Sequence, residues 1–141
     1  MDQAIIFKPF VATMVLTMVV WAYMYGRRLP FIVSSGLEAT QMTPLELARV
    51  SPPGVSNPSD NLKNLLELPT IFYAIVLFLF VTNQVDAIHV SAAWVFFVFR
   101  VLHSAVHCTF NFIPLRFLLY VVSSAALWFM ALRAAMATLW Q

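Results

Sequence analysis

Residues 10–25 read FVATMVLTMVVWAYMY, sixteen positions without a single charge, and the chain then turns to Gly26-Arg27-Arg28. A helix that crosses the hydrocarbon of a bilayer needs about 20 mostly apolar residues. With Ile5, Ile6 and Phe7 in front, this run is long enough, which places a first span at about 5–25. Trp21, Tyr23 and Tyr25 then fall where an interfacial aromatic belt belongs, and the two arginines anchor the end. Asp2 and a lone Lys8 make a poor basic leader, and no small-residue cleavage pattern precedes Gly26, so the segment reads as a retained span and not a signal peptide.

The rest of the chain repeats this pattern. Further apolar runs occupy about 61–82, 90–112 and 115–139, separated by the polar turn 83–89 and by Pro114. Of 141 residues, 62% are hydrophobic and 10% charged, with a mean hydropathy of +0.85. Soluble domains are about 45–50% apolar and about 25% charged, so this composition requires lipid as solvent. The expected fold is all-α: a single four-helix membrane bundle over residues 1–141, with one sizeable loop at 26–60. The net charge of +2 is scattered, which excludes a nucleic-acid footprint. One cysteine, Cys108, excludes an intrachain disulfide, and in an apolar helix it reads as a small hydrophobe.

Within the loop, Thr43-Pro44-Leu45-Glu46 has capping-box spacing with proline at the first helical position, so a short helix is expected over 44–50. Pro52-Pro53-Gly54 should end it, and Asn57-Pro58-Ser59-Asp60 reads as the next helix start. Arg27, Arg28, Arg49, Lys63 and Arg116 lie on one side of the four-span plan, against Lys8 and Arg133 on the other. The positive-inside rule then places loops 1–2 and 3–4 in the cytoplasm and both termini outside.

Ionisable residues inside a span cost about 2.5–3.5 kcal/mol each, so their positions carry information. At 100° per residue, Arg100, His103, Ser104, His107 and Asn111 share one arc of the third span. Asp60, Asn61, Asn64 and Glu67 form a polar face on the second, and Arg116, Tyr120, Ser123 and Ser124 on the fourth. These stripes meet in the cytoplasmic third of the bundle, and the opposite half carries no equivalent set. One reading is a structural Glu67–Arg100 ion pair with Asn and Ser as interhelical hydrogen-bonding groups. The other is a cation-rich cavity for an anionic ligand, which also accounts for Arg116, Asn64 and the histidines. His103 and His107, at i and i+4, form a workable metal pair that His89 or Glu67 could complete. Arg100 on the same stripe repels a cation, so no metal is assigned.

Asn64-Leu65-Leu66-Glu67-Leu68-Pro69 resembles the NxxE motif, followed by proline, of the MAPEG family, membrane-associated proteins in eicosanoid and glutathione metabolism. Arg100-Val101-Leu102-His103-Ser104-Ala105-Val106-His107 is similar to the family pattern R-x-x-H-[ST]-x-x-[YH], and Arg116-Phe117-Leu118 opens the last span where the family carries an arginine near the glutathione thiol. The wording of 60–67 resembles a bacterial branch. The resemblance implies a homotrimer with glutathione held between subunits near the cytoplasmic face as co-substrate, and in a bacterial inner membrane the charge bias above puts both termini in the periplasm. Asn64 and Glu67 would bind its peptide, Glu67 at the amino group. Arg100 would hold a carboxylate or pair Glu67, with His103, His107 and Tyr120 lining the site. Arg116 is the implied catalytic residue: a free thiol with pKa near 8.5 is a few per cent ionised at neutral pH, and an adjacent arginine favours thiolate. The activity implied is transfer to, or reduction of, lipophilic electrophiles. The alternative is a non-catalytic accessory or scaffold protein on the same fold.

Overall fold

The computed structural model describes residues 2–36, 38 and 42–140. Five α-helices follow a 3-10 turn at Gln3–Ile6: α1 (Phe7–Ser35), α2 (Pro44–Val50), α3 (Pro53–Val81), α4 (Ala87–Cys108) and α5 (Ile113–Leu139). No strand occurs among the described residues. All but α2 are long and apolar enough to cross a membrane. Met18, Val19, Leu66, Leu118 and Leu132 are each more than half exposed on the protomer, as lipid-facing positions should be.

α1 does not stop at Gly26 but runs nine residues further, through Arg27, Arg28 and Pro30. A glycine inside a helix is tolerated at about 1 kcal/mol relative to alanine. The stop itself needs a residue in the left-handed region. Gly36 supplies it at φ +63°. At 1.5 Å per residue the 29 residues of α1 span about 43 Å, so its last turns stand beyond a hydrocarbon core of about 30 Å.

α2 forms where the capping box predicts it. Thr43 Oγ1 accepts from the Glu46 backbone N–H at 3.3 Å, and the Thr43 backbone N–H donates to Glu46 Oε2 at 2.7 Å. That backbone hydrogen bond, with the Thr43 hydroxyl, holds the Glu46 carboxyl below its ordinary pKa. α3 begins earlier than expected, with Pro53 in its first turn and Asn57–Asp60 already helical. Pro58 has no N–H to offer the carbonyl four residues back, that of Gly54. Arg27 Nε donates to that Gly54 oxygen at 3.3 Å. A side chain at 54 would crowd this contact, since a Cβ there would lie 3.0 Å from Arg27 Nη2.

The bundle core is built on Phe72 of α3 stacked on Phe96 of α4, ring centroids 4.4 Å apart, with Val76, Leu79, Leu127 and Met130 fully buried around them. α1 packs chiefly on α3, and α4 on α5. Gln3 exchanges hydrogen bonds with the Val85 backbone (3.2 and 3.0 Å), and Gln84 Nε2 donates to Thr138 Oγ1 at 3.1 Å. Both ends of the described chain therefore meet the α3–α4 turn at one end of the bundle.

That end carries a polar set of its own, contrary to the expectation of none. Asp86 caps α4 by accepting from the His89 backbone N–H at 2.9 Å and pairs with Arg133 of α5, which also donates to His89 Nδ1 at 3.1 Å. Burial works to raise the Asp86 pKa, and the His89 N–H and the Arg133 guanidinium outweigh it, leaving the carboxyl below its ordinary value. A depressed carboxyl pKa stabilises the fold above the unfolded value of about 4, and that contribution vanishes as pH falls through the folded value. Asp86→Ala should accordingly lower stability at neutral pH by about 1 kcal/mol, mostly through the lost cap, because the ion pair is part-exposed and screened. Detergent-phase thermal unfolding checks this: the gap between variant and wild type should narrow as pH drops below about 4.

Candidate functional site

At the other end, where α1 and α4 finish and α3 and α5 begin, polar residues from three helices converge. Arg116 lies in the first turn of α5, which starts at Ile113 because Pro114 suits an early helical position. Its Nη1 donates to Asn111 Oδ1 at 2.8 Å and to His107 Nε2 at 2.9 Å. Its carbonyl lies 3.0 Å from His103 Nδ1.

These contacts define the histidines' roles. A carbonyl only accepts, so His103 Nδ1 carries the proton and donates to Arg116. His103 Nε2 then accepts from the Asn64 amide at 3.4 Å. Guanidinium only donates, so His107 Nε2 is an acceptor. Asn64 also lies 3.5 Å from His107 Nδ1. Asn64, His103, His107 and Arg116 thus form one connected set drawn from α3, α4 and α5. A cleft of about 290 Å³ opens against it, lined by Asn64, His103, Ile113, Arg116, Phe117 and Tyr120.

Arg100 lies deeper. The end of α4 is at Cys108, so at 1.5 Å per residue Arg100 is about 12 Å inside it. The side chain is 0% exposed, and Nε, Nη1 and Nη2 have no hydrogen-bond partner among the described residues. Its guanidinium carbon sits 4.7 Å from the Tyr120 ring centroid and 5.4 Å from that of Phe96. Cation–π contacts of this kind are worth about 2 kcal/mol when desolvated, which falls short of the several kcal/mol that burying an unpaired ion costs. The protomer leaves this charge short of an anion.

Glu67 is not that anion within the protomer. It lies one turn beyond Asn64 on α3 but is exposed, and the ion pairs among the described residues are Lys63–Asp60 and Arg133–Asp86. The polar face read on the second span also divides. Asn61 is fully buried toward α4, accepting from Ser104 Oγ at 3.3 Å and approaching Cys108 Sγ at 3.5 Å, whereas Asp60 faces outward with Lys63. Asn111 reaches Arg116 from the α4–α5 loop at φ +47° and not from a helical stripe. Its amide donates to Asn57 at 3.2 Å, a residue that reads from sequence only as a helix start. Ser123 and Ser124 donate to the Tyr120 carbonyl. Among the described residues, no group of three His, Cys, Asp or Glu side chains converges in a way that could hold a metal.

The family model described as the MAPEG family matches residues 6–136. No curated protein and no solved structure matches the chain.

Proposed function

The chain belongs to the MAPEG family, and from that premise we propose that it is a glutathione-dependent transferase or peroxidase-like membrane protein acting on lipophilic electrophiles. The observation that carries this reading is the fully buried guanidinium of Arg100, without a hydrogen-bond partner among the described residues, behind the Arg116 cleft. Two arginines at one site suit a ligand with carboxylates and an ionisable thiol.

In this reading Arg100 holds a glutathione carboxylate or the Glu67 side chain. Asn64 and Glu67 bind the peptide, and His103, His107 and Tyr120 shape the wall. Arg116 stabilises the thiolate, whose sulfur forms the new bond to an electrophilic carbon as the leaving group departs with its electron pair. A cleft of about 290 Å³ lies at the lower edge of the roughly 300–1,000 Å³ of small-molecule sites. A tripeptide would therefore extend past the protomer, in keeping with a homotrimer whose subunits share the ligand and with Glu67 exposed on one copy.

Calorimetric titration of the purified protein with glutathione tests the proposal. Saturable binding weakened by Glu67→Gln supports it, and a flat titration at millimolar glutathione rejects it. A second reading, a non-catalytic accessory protein, draws on Arg116, whose Nη1 is already engaged by Asn111 and His107. That reading predicts a stoichiometric larger partner on co-purification.

A further inference from the structure

A second polar cavity lies outside the Arg116 site. It has a volume of about 140 Å³ and is enclosed by the end of α1, by α2 and by the first turns of α3. Its polar lining is Arg28, Ser51, Ser56, Ser59, Asp60 and Lys63. Lys63 and Asp60 pair at 2.8 Å, but both side chains are more than half exposed, so the pair is weak and open to competition. Arg28 is part-buried and makes no ion pair or hydrogen bond among the described residues, and neither does the Ser59 hydroxyl. Ser51 and Ser56 donate to the carbonyls of Leu47 and Pro52. The donors left to a ligand are therefore the Arg28 fork, the Ser59 hydroxyl and the Lys63 ammonium. With two cations against one carboxylate, the cavity is net positive.

Depth narrows the class of ligand. Trp21 and Tyr25 are 52% and 40% exposed and meet edge to face at 5.0 Å, an amphipathic pair of the kind that marks the membrane–water interface. Arg28 is three residues beyond Tyr25, about 4.5 Å further along the axis. That is the level of lipid headgroups, which occupy the outer several ångströms of each leaflet. The volume is well below the roughly 300 Å³ at which whole small-molecule sites begin. It suits a single tetrahedral anion whose remainder stays outside.

We infer that this cavity binds the phosphodiester of an anionic phospholipid headgroup, with Arg28 as a bidentate donor and Ser59 and Lys63 completing the shell. Arg27 next to it is committed to the Gly54 carbonyl, which leaves Arg28 as the arginine free to recognise the phosphate. The bound lipid would clamp α1 to α2 and α3 at the end of the bundle that carries the Arg116 site.

The test is thermal unfolding of delipidated full-length protein, titrated with short-chain phosphatidylglycerol, with phosphatidylcholine of the same length, and with inorganic phosphate. A saturable rise in melting temperature is expected with phosphatidylglycerol and a smaller one with phosphatidylcholine, whose phosphodiester carries a choline cation that the net positive cavity repels. Loss of a charge-assisted bond should weaken apparent affinity about tenfold or more in Arg28→Gln. Ser59→Ala should weaken it less, and Arg116→Ala should leave it unchanged. If Arg28→Gln does not fold, competition of wild-type binding by inorganic phosphate reads the same headgroup chemistry. Inorganic phosphate saturating at the same concentration as the lipid would make free phosphate the ligand and overturn the lipid assignment. Equal shifts with both lipids would overturn the anionic-headgroup assignment, and wild-type affinity in Arg28→Gln, or no shift with either lipid, would overturn the site.

Discussion

Arg116→Ala is expected to lower turnover with glutathione and a lipophilic electrophile by about 10²–10³-fold, the range seen when one preorganised donor to a developing anion is removed. Binding of glutathione should weaken much less, because the peptide contacts assigned to Asn64 and Glu67 remain. The effect should therefore fall on kcat more than on KM. Wild-type protein mixed with glutathione should also show ultraviolet thiolate absorbance at neutral pH that the variant lacks. Arg116→Lys should recover only part of the activity. Asn111 and His107 hold Nη1 of a planar fork, and a compact ammonium does not reproduce that geometry. Equal thiolate absorbance in wild type and Arg116→Ala would remove Arg116 from the chemistry.

Arg100→Met is expected to move stability and binding in opposite directions. The guanidinium is fully buried and has no hydrogen-bond partner among the described residues, and replacing a buried charge with an apolar side chain of similar length is often neutral or stabilising by about 1–4 kcal/mol. If a ligand carboxylate is its intended partner, loss of that buried charge pair should cost about 2–5 kcal/mol of affinity, or about 30- to 5,000-fold in Kd. The ligand-free variant should melt at or above the wild-type temperature, and glutathione should no longer raise it. A variant that unfolds readily without ligand would instead give Arg100 a structural counterion, with Glu67 of a neighbouring copy as the candidate.

The four spans and the buried positions of α4 were legible in the sequence for a simple reason. A helix in lipid must hide its polar residues on one side, so Arg100, His103, Ser104 and His107 at helical spacing declare their own face, and all four are buried. Asn64 follows by the same logic. Glu67 did not, because its exposure depends on what covers α3, which one chain's periodicity does not contain. Asn111 joined the polar set but not from a helix: Pro114 forces the break, and asparagine tolerates the left-handed backbone of the loop. Gly26 was misleading because the change from apolar to basic residues marks the end of the hydrocarbon, not the end of the helix. The Asp86–His89–Arg133 set joins residues more than forty positions apart, and only tertiary packing brings them together.

The proposed function requires that Arg100 and Arg116 face an anionic thiol ligand shared between copies of this chain. Native mass spectrometry of protein released from detergent in the presence of glutathione tests it most directly. A trimer carrying glutathione-mass adducts is expected, with the adducts lost in Arg100→Met. A trimer free of adducts at millimolar glutathione, or adducts that persist undiminished in Arg100→Met, would contradict it.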